Sequence, residues 1–599
     1  MEEKRLVDKS PHWPSLVNKA ILEESELLYH IAKCGNILDV ANRTLEVMLD
    51  EYFDSDGIQL PVRERWVQAQ TNTIESIMEN LTKNVATFEA ALQCRGRLLL
   101  GMCSKVMHER YKDGDIEMAS NFLRAAQSQL VRAMSIATSV SNVDIMEDCA
   151  KELLLCDVTS DEFTRLSRLC IFQSCENWKY VRQLWKDINW STDSSLVLGA
   201  VHEANQRITV GQAHSLSFKR SQPTVLSAEN IVDLPKNLKV LVLKHSDDRT
   251  RLFGAIVYRT KDVAPSKAKN PMEDFYIANA SLEVDEGVLQ NLVNRVQSIS
   301  ASALKGFVPD MNLIEDIYQY LEPILRIMEI DVSKIPEKSE SKKKAAVAGK
   351  PIESDEVDRG HCVVCLDSLL EPIPIEMVLR VKNLVTSASR DFGMSFLLNR
   401  IKSSPGFAGR PMSGAPGPTL TKSDKKGQPG AIAVEKWDIL KINLLANHEV
   451  PKELSGPVPS NLEFDVRVGN LNLNEIGGAF ESAQVVILLD KGMTLDPSAL
   501  AILSTPPHIV VSLECADFAE PLEKFNSSSK ALAAYNYMNG VAFTITNACP
   551  SFPEQNYAFI RQLVKTKDVI KLKSDMSSEE IQNKRVFFGA YFVKCYGFL

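Results

Sequence analysis

The apolar pattern of this 599-residue chain changes once, near residue 225, and that change most constrains the fold. Before it, apolar residues recur at steps of three and four, which is typical of amphipathic helices. After it, short apolar runs rich in β-branched residues alternate with helical segments. Two of these runs, at 483–490 and 508–513, have the continuous apolar character of strands buried on both faces of a sheet. The chain is therefore predicted to be an α+β multidomain protein with a helical first part.

Residues 1–222 are predicted to form an array of antiparallel helices. Trp13–Leu49 keeps the helical spacing with one break at Cys34–Asn36, and Val62–Tyr111 and Ile116–Val140 repeat it. Paired helices with short breaks are typical of tetratricopeptide-like arrays, although no regular repeat of about 34 residues is present. Such an array either binds other proteins along a groove or serves only to pack, and the sequence leaves both open.

Residues 223–332 are predicted to form the first half of an α/β domain. The expected elements are three antiparallel strands and two helices, at 238–246, 251–260, 275–284, 286–304 and 312–328. Residues 333–360 have little apolar character and are expected to form a flexible charged linker.

Residues 361–599 are predicted to complete that domain with a mainly parallel sheet covered on both faces. Besides the two continuous apolar runs, strands are expected at 361–366 and 541–546, and helices at 389–401, 528–539 and 555–564. An insertion at 403–430 is too rich in Gly, Pro and Ser to pack as a regular element. The apolar segment 587–599 is expected to be a buried closing strand rather than a membrane anchor.

Composition and charge argue against several classes of protein. The net charge of −9 and the pI near 5.7 argue against a general nucleic-acid or membrane-surface binder. The N-terminal segment lacks the apolar stretch of a secretory signal, and no run reaches the roughly 18 apolar residues of a membrane-spanning helix. Twelve scattered cysteines are typical of the reduced thiols of a cytoplasmic protein.

Four segments between about residues 230 and 570 resemble, in order, the CHAT domain, a caspase-like module related to separase. They read LPKNLKVLVLKHSDDRTRLFGAIVYRT, NLIEDIYQYLEPILRIM, HCVVCLDSLLEPIPIEMV and SSKALAAYNYMNGVAFTITNACPSF. Pro374, Ile375 and Glu376 stand at the places of the family's Leu-Pro-(Phe/Trp)-Glu step. The resemblance implies a caspase-like α/β/α domain with a mainly parallel sheet.

The same resemblance locates the family's two catalytic positions in this sequence. The family's histidine belongs to a His-Gly pair after the first buried strand, where this chain has Lys491-Gly492. An ungapped match puts Glu514 at the nucleophile position and Cys515 one residue later, so an insertion of one residue would restore the cysteine. Because lysine with an ordinary pKa of about 10.4 is no base at neutral pH, the resemblance implies a pseudoenzyme. The alternative is a CHAT-type cysteine peptidase with Cys515 as nucleophile and an unassigned base.

A narrower resemblance points to the motile cilium. The segments SASRDFGMSFLLNRI, FESAQVVILLDKG and PPHIVVS are similar to the C-terminal end of a large tetratricopeptide-repeat cilia- and flagella-associated protein family. It implies a scaffold of the axoneme cytoskeleton, in a projection of the central-pair microtubules. The expected partners are other projection proteins and microtubules. The microtubules would be contacted through the segments 333–360 and 403–430, which are locally basic and are called here the two basic linkers. A general cytoplasmic adaptor is a further alternative.

Other motifs favour packing over chemistry. Cys362 and Cys365 form a Cys-x-x-Cys beside His361, but no second pair stands nearby and residues three apart in a strand face opposite ways. His508 precedes a strand too far from Cys515 for a direct pair and is expected to be structural. With no phosphate loop or dinucleotide fingerprint, no cofactor, metal or nucleic acid is expected.

Overall fold

A computed structural model describes the chain in part. The described residues are 13–50, 60–156, 161–187, 221–235, 238–260, 274–303, 312–332, 360–403, 440–451, 462–469, 478–480, 482–491, 507, 509–515, 525–541, 543–547, 556–557, 559–561 and 593–597. The predicted linkers at 333–360 and 403–430 lie almost wholly outside them. The chain divides into two compact units, Met1–Cys175 and Glu176–Leu599. The predicted boundary at 222 follows a stretch outside the described residues and stays a prediction.

The first unit is helical. Its helices are α1 (Trp13–Asp50), α2 (Leu60–Asn84), α3 (Ala90–Tyr111), α4 (Ile116–Ser139), α5 (Val143–Leu155) and the start of α6 (Glu162–Asp187), with a 3₁₀ turn at Val85–Thr87. The expected break at Cys34–Asn36 is wrong, because α1 is continuous there. The expected single run from Val62 to Tyr111 is also wrong. Phe88 adopts an extended conformation and Glu89 caps α3, so the chain turns between α2 and α3.

Close helix packing holds the first unit together. The turn after α3 ends at Asp115, whose side chain accepts a hydrogen bond from the Met118 N–H and caps α4. Gly101 on α3 lets α4 approach, since a Cβ there would lie 2.6 Å from Cγ of Leu130. The predicted helix at Ile116–Val140 is confirmed.

The second unit contains a single described sheet of eleven strands. They are β1 (Leu238–His245), β2 (Arg251–Arg259), β3 (Phe275–Glu283), β4 (His361–Cys365), β5 (Ser387–Asp391), β6 (Leu440–Ala446), β7 (Leu462–Val468), β8 (Val485–Lys491), β9 (Ile509–Cys515), β10 (Phe543–Asn547) and β11 (Val593–Gly597). The helices of this unit are the end of α6, α7 (Ala228–Ile231), α8 (Glu286–Ala303), α9 (Asn312–Val332), α10 (Ile375–Val381), α11 (Met394–Ser403) and α12 (Phe525–Met538). A helical first part followed by a mainly parallel sheet is confirmed.

The strand order is β3-β2-β1-β4-β5-β11-β10-β9-β8-β6-β7. We call β1–β5 the first half and β6–β10 the second half. Within the first half β1, β4 and β5 are parallel, and all strands of the second half are parallel. β11 lies between the halves, antiparallel to β10 and parallel to β5. The two parallel sets therefore run in opposite directions, and their carboxyl ends lie at opposite edges of the sheet.

Helices α8, α9 and α10 cover one face of the first half. Their apolar side chains form one buried cluster with β1, β2 and β4. Gly254 on β2 allows α9 to pack closely, because a Cβ there would lie 2.3 Å from Cγ2 of Ile324. The predicted strands and helices of 238–328 are confirmed to within a few residues.

Two strand assignments differ from the sequence prediction. The expected helix at 389–401 begins only at Met394, because Ser387–Asp391 is the buried strand β5. Strands β6 and β7 were not predicted: β7 alternates charged and apolar residues at the sheet edge and lacks a continuous apolar run. The segment 587–599 contains β11, which is a sheet strand as expected. No helix of the described residues is long and apolar enough to cross a membrane.

Candidate functional site

The two positions singled out by the caspase-like pattern lie side by side. Lys491 ends β8 and Cys515 ends β9, and the two residues are register partners in neighbouring parallel strands. Asp490 pairs in the same way with Glu514. Neighbouring strands lie about 4.8 Å apart. The ladder therefore brings Cys515, and not Glu514, opposite Lys491, the position that the sequence resemblance assigned to a histidine.

Strand parity places this pair on one face of the sheet. Lys491 lies two residues after Leu489, and Cys515 two residues after Leu513. Leu489 and Leu513 belong to one buried cluster, which Tyr557 also joins. Since residues i and i+2 share a strand face, positions 491 and 515 lie on that side. Gly492 and His508 fall outside the described residues.

A histidine that the sequence patterns did not single out lies at the same edge. His448 follows β6, the other neighbour of β8, and lies two residues beyond the register pair Ala446–Leu489. Its Nε2 is 3.1 Å from the Tyr557 hydroxyl and its Nδ1 is 3.0 Å from Oδ1 of Asn447. Its position directly after an apolar run was the available signal. The edge thus carries, from β9 to β6, a cysteine, a lysine and a half-buried histidine.

The carboxyl edge of the first half holds a buried acid–base pair. His245 ends β1, and its Nδ1 lies 2.7 Å from Oδ2 of Asp367, just after β4. The backbone N–H of His245 donates to the same oxygen at 2.7 Å, and the Leu370 N–H donates to Oδ1 at 2.9 Å. Although burial alone raises the pKa of Asp367, the contacts from His245 outweigh it and lower that pKa.

The remaining nitrogen of His245 is also engaged. Nε2 lies 3.0 Å from the Tyr320 hydroxyl on α9. Burial raises the pKa of Tyr320, with a smaller effect of the Asp367 charge, so this hydroxyl stays protonated. His245 is 2% exposed, and both ring nitrogens have partners. The pair can therefore fix the ends of β1 and β4, and the ring offers no free nitrogen to a substrate.

Helix α6 closes this edge. Glu176 forms an ion pair with Lys244, and its Oε1 accepts the Ser368 N–H at 3.1 Å. Nδ2 of Asn177 donates to the carbonyl oxygens of Leu366 (3.0 Å) and Phe392 (2.8 Å). Loop carbonyls after β4 and β5 are thus satisfied by a helix at the place where α/β sheets commonly bind ligands.

The Pro-Ile-Glu step has a structural role. Glu376 on α10 receives two hydrogen bonds from the Arg390 guanidinium, Nε–Oε1 at 2.5 Å and Nη2–Oε2 at 2.9 Å. Arg390 is 2% exposed and also donates to the carbonyl oxygens of Glu371 and Ile373. The bidentate pair fixes α10 to β5.

A second buried ion pair joins the halves. Nε of Arg400 on α11 donates to Oδ2 of Asp391 at 3.0 Å, and Nη1 donates to the Val541 carbonyl oxygen at 2.8 Å. The guanidinium carbon lies 4.5 Å from the ring centroid of Tyr537. Burial raises the pKa of Asp391 despite the nearby guanidinium.

The Cys-x-x-Cys motif lies in the core. Cys362 and Cys365 are fully buried on β4, and burial raises the pKa of Cys362 to about 12. His361 is bound instead by the hydroxyls of Ser387 and Ser389, each at 2.8 Å. Among the described residues, no group of three or more His, Cys, Asp or Glu side chains could hold a metal ion.

The chain is similar in structure to solved chains of the Saccharomyces cerevisiae separase–securin complex. In the crystal structure at 2.6 Å resolution the TM-score is 0.46 at 9% sequence identity, covering 100% of this chain and 48% of the solved chain. In the one at 3.0 Å resolution the TM-score is 0.37 at 10% identity, covering 98% and 54%. The chain thus spans about half the length of the solved chains it matches. No protein-family model and no curated protein matches it.

Proposed function

We propose that this chain is a non-enzymatic scaffold whose α/β unit is a catalytically inactive caspase-like domain. The observation that carries the proposal is the register of Lys491 with Cys515. Caspase-like cleavage needs an imidazole that takes up the thiol proton at neutral pH and delivers a proton to the leaving group. A lysine with an ordinary pKa is charged there and cannot accept one. The scaffold binds its partners through the tetratricopeptide-like helical array and through the surfaces of the inactive domain.

The buried, hydrogen-bonded polar pairs of the first half support the same proposal. His245, Asp367, Arg390 and Glu376 are all buried and bound to other groups of the chain. Such pairs fix the relative position of strands and helices, which is what a binding surface requires.

Peptide cleavage tests the absence of catalysis. The full chain and a Cys515→Ala variant are incubated with a peptide library, and cleavage is read by mass spectrometry. We expect both proteins to give the same background. Cleavage by the wild type that disappears in Cys515→Ala would contradict the proposal. Lys491→His serves as a third sample, because it places an imidazole in register with the thiol.

One observation favours a second candidate, a cysteine peptidase. His448 lies at the same edge, on the far side of β8 from Cys515. In this alternative Cys515 is the nucleophile and His448 the base. It requires that His448→Ala and Cys515→Ala abolish the same activity, whereas the scaffold proposal expects neither change to alter a rate.

The place of the scaffold is proposed from the sequence resemblance to the cilia- and flagella-associated family. We place the chain in a central-pair projection of the motile axoneme, bound to other projection proteins. Tagged protein in flagellated cells is expected to stay with the axoneme after detergent and to leave it in high salt. Release by detergent alone would favour a general cytoplasmic adaptor.

Contact with microtubules is proposed for the two basic linkers. Lys342, Lys343, Lys344, Lys425 and Lys426 supply the positive charge. Replacing all five with Gln is expected to reduce co-sedimentation with microtubules, whose surface is acidic. An unchanged pellet fraction would remove microtubules from the proposal and leave the protein partners.

A further inference from the structure

Buried neutral polar side chains line one face of the second half. Thr544 and Thr546 lie two residues apart on β10 and so share a strand face. They are 0% and 2% exposed. Their register partners on β9 are Val510 and Ser512. Val510 belongs to the cluster beneath α12, so both threonines lie on the α12 side of the sheet.

Helix α12 brings an asparagine to the same place. Asn536 is fully buried and lies one helical turn after Leu532. Leu532 packs in one cluster with Val510 and Val541. Because residues four apart share a helix face, Asn536 lies on the side of α12 that covers β9 and β10.

These three side chains make no hydrogen bonds of their own. The hydroxyl oxygens of Thr544 and Thr546 and both polar atoms of the Asn536 amide are buried without a partner among the described residues. The buried Asn443, three strands away on β6, differs, since its Nδ2 donates to the Ala479 carbonyl oxygen and the Ser482 hydroxyl. Native proteins seldom leave buried polar atoms unbonded, and four in one place would cost a large part of a domain's stability.

The chemistry of the four atoms selects the ligand. Two hydroxyls and one amide offer both donors and acceptors and carry no charge. A water molecule matches this set, because buried water commonly makes about three hydrogen bonds to otherwise unsatisfied groups. We propose that Asn536, Thr544 and Thr546 bind ordered water molecules in a closed polar site between α12 and β10. The site lies on the opposite strand face from positions 491 and 515, so it is independent of the proposed function.

The test counts long-lived water in the full chain. Water-¹⁷O magnetic relaxation dispersion is measured on the wild type and on Thr544→Val/Thr546→Val, which keeps the side-chain shape and removes both hydroxyls. We expect the dispersion amplitude to fall and the apparent Tm to drop. An unchanged amplitude, or a Tm that rises because two unsatisfied hydroxyls have gone, overturns the proposal.

Two controls separate hydration from folding. Thr544→Ser/Thr546→Ser keeps the hydroxyls and is expected to keep the amplitude. Thr73→Val removes an exposed hydroxyl, which donates to the Ala69 carbonyl oxygen, and is expected to leave the amplitude unchanged. If circular dichroism shows that the double valine variant does not fold, Thr546→Val alone is measured. The same fall in the dispersion amplitude is then expected from this single variant.

Discussion

The two halves of the sheet bury different kinds of polar group. In the first half buried charged side chains are paired, as in Arg390–Glu376, and buried His245 is hydrogen-bonded to Asp367. Among the described residues of the second half the buried polar groups are neutral, and the charges of β6 and β7 lie at the exposed edge, as in Lys441–Glu463. Both halves contain parallel strands, but the first relies on buried charged pairs that the described part of the second lacks.

Disrupting β11, the strand between the halves, is expected to lower the stability of the sheet most. Cys595→Pro removes the N–H of a residue whose partner on β10 is Ile545 and places a proline ring inside a central strand. We expect a larger loss in the free energy of unfolding than the about 3–5 kcal/mol of a broken buried ion pair, because proline removes a ladder hydrogen bond and is tolerated only at sheet edges. Cys595→Ala keeps the N–H and is the matched control. Urea unfolding measures both, and equal losses would mean that the backbone pairing of β11 is unimportant.

The second-largest loss of stability is expected from breaking the buried Arg390–Glu376 pair of the first half. Glu376→Ala removes the bidentate carboxylate of the buried Arg390 guanidinium and leaves it only the carboxylate of Glu371, whose Oε1 lies 3.2 Å from Nη1. The expected loss is about 3–5 kcal/mol by urea unfolding. Arg390→Met together with Glu376→Leu removes both charges and should recover most of it. A double variant no better than Glu376→Ala would show that shape, and not charge, decides this contact.

A smaller effect with a pH signature is expected at Asp367. The carboxylate of Asp367 accepts hydrogen bonds from several N–H groups, and Asp367→Asn would place an NH₂ group against some of these donors. The expected loss in the free energy of unfolding is about 1–3 kcal/mol at pH 7. The folded pKa of Asp367 is below its ordinary value of 3.8, so its contribution is complete above that pH and is lost as the pH falls through the lower folded pKa.

The measurement for Asp367 is the difference in unfolding free energy between the wild type and Asp367→Asn from pH 7 to pH 3. It should be constant down to about pH 4 and shrink below it. Using the difference cancels Asp391, whose raised pKa shifts stability in the opposite direction. A difference that grows on acidification would contradict the assigned direction.

The smallest effect is expected at the exposed edge of the second half. Lys441 Nζ and Glu463 Oε2 lie 2.9 Å apart, with side chains 47% and 56% exposed. Glu463→Gln should change the unfolding free energy by at most about 0.5 kcal/mol, because solvent and salt screen such pairs. A change as large as that of Glu376→Ala would remove the contrast between the halves.

The sequence predicted the elements that carry their own apolar pattern. Strands β1, β2, β8 and β9 were found because local apolar runs determine them. Strand β5 was missed because its Arg390 is buried through Glu376 and the carbonyl groups of Glu371 and Ile373, which lie 14 to 19 residues earlier in the chain. No local pattern contains that pairing.

The candidate site was predictable only in part. The family resemblance singled out Lys491 and Cys515, but only the ladder brings them into register. His448 was missed because its relevance depends on β6 pairing with β8. The two strands are far apart in the sequence, and no local pattern predicts that they are neighbours. His245 and Asp367 are 122 residues apart and meet only through the pairing of β1 with β4.

The order of synthesis gives the central strand a further consequence. β11 is made after β5 and β10, the two strands with which it pairs, so these strands present unpaired backbone edges until residues 593–597 leave the ribosome. Exposed edges of this kind pair readily with other chains. We therefore expect the nascent chain to depend on chaperones that shield these two edges, and the sheet to close only after translation has passed β11.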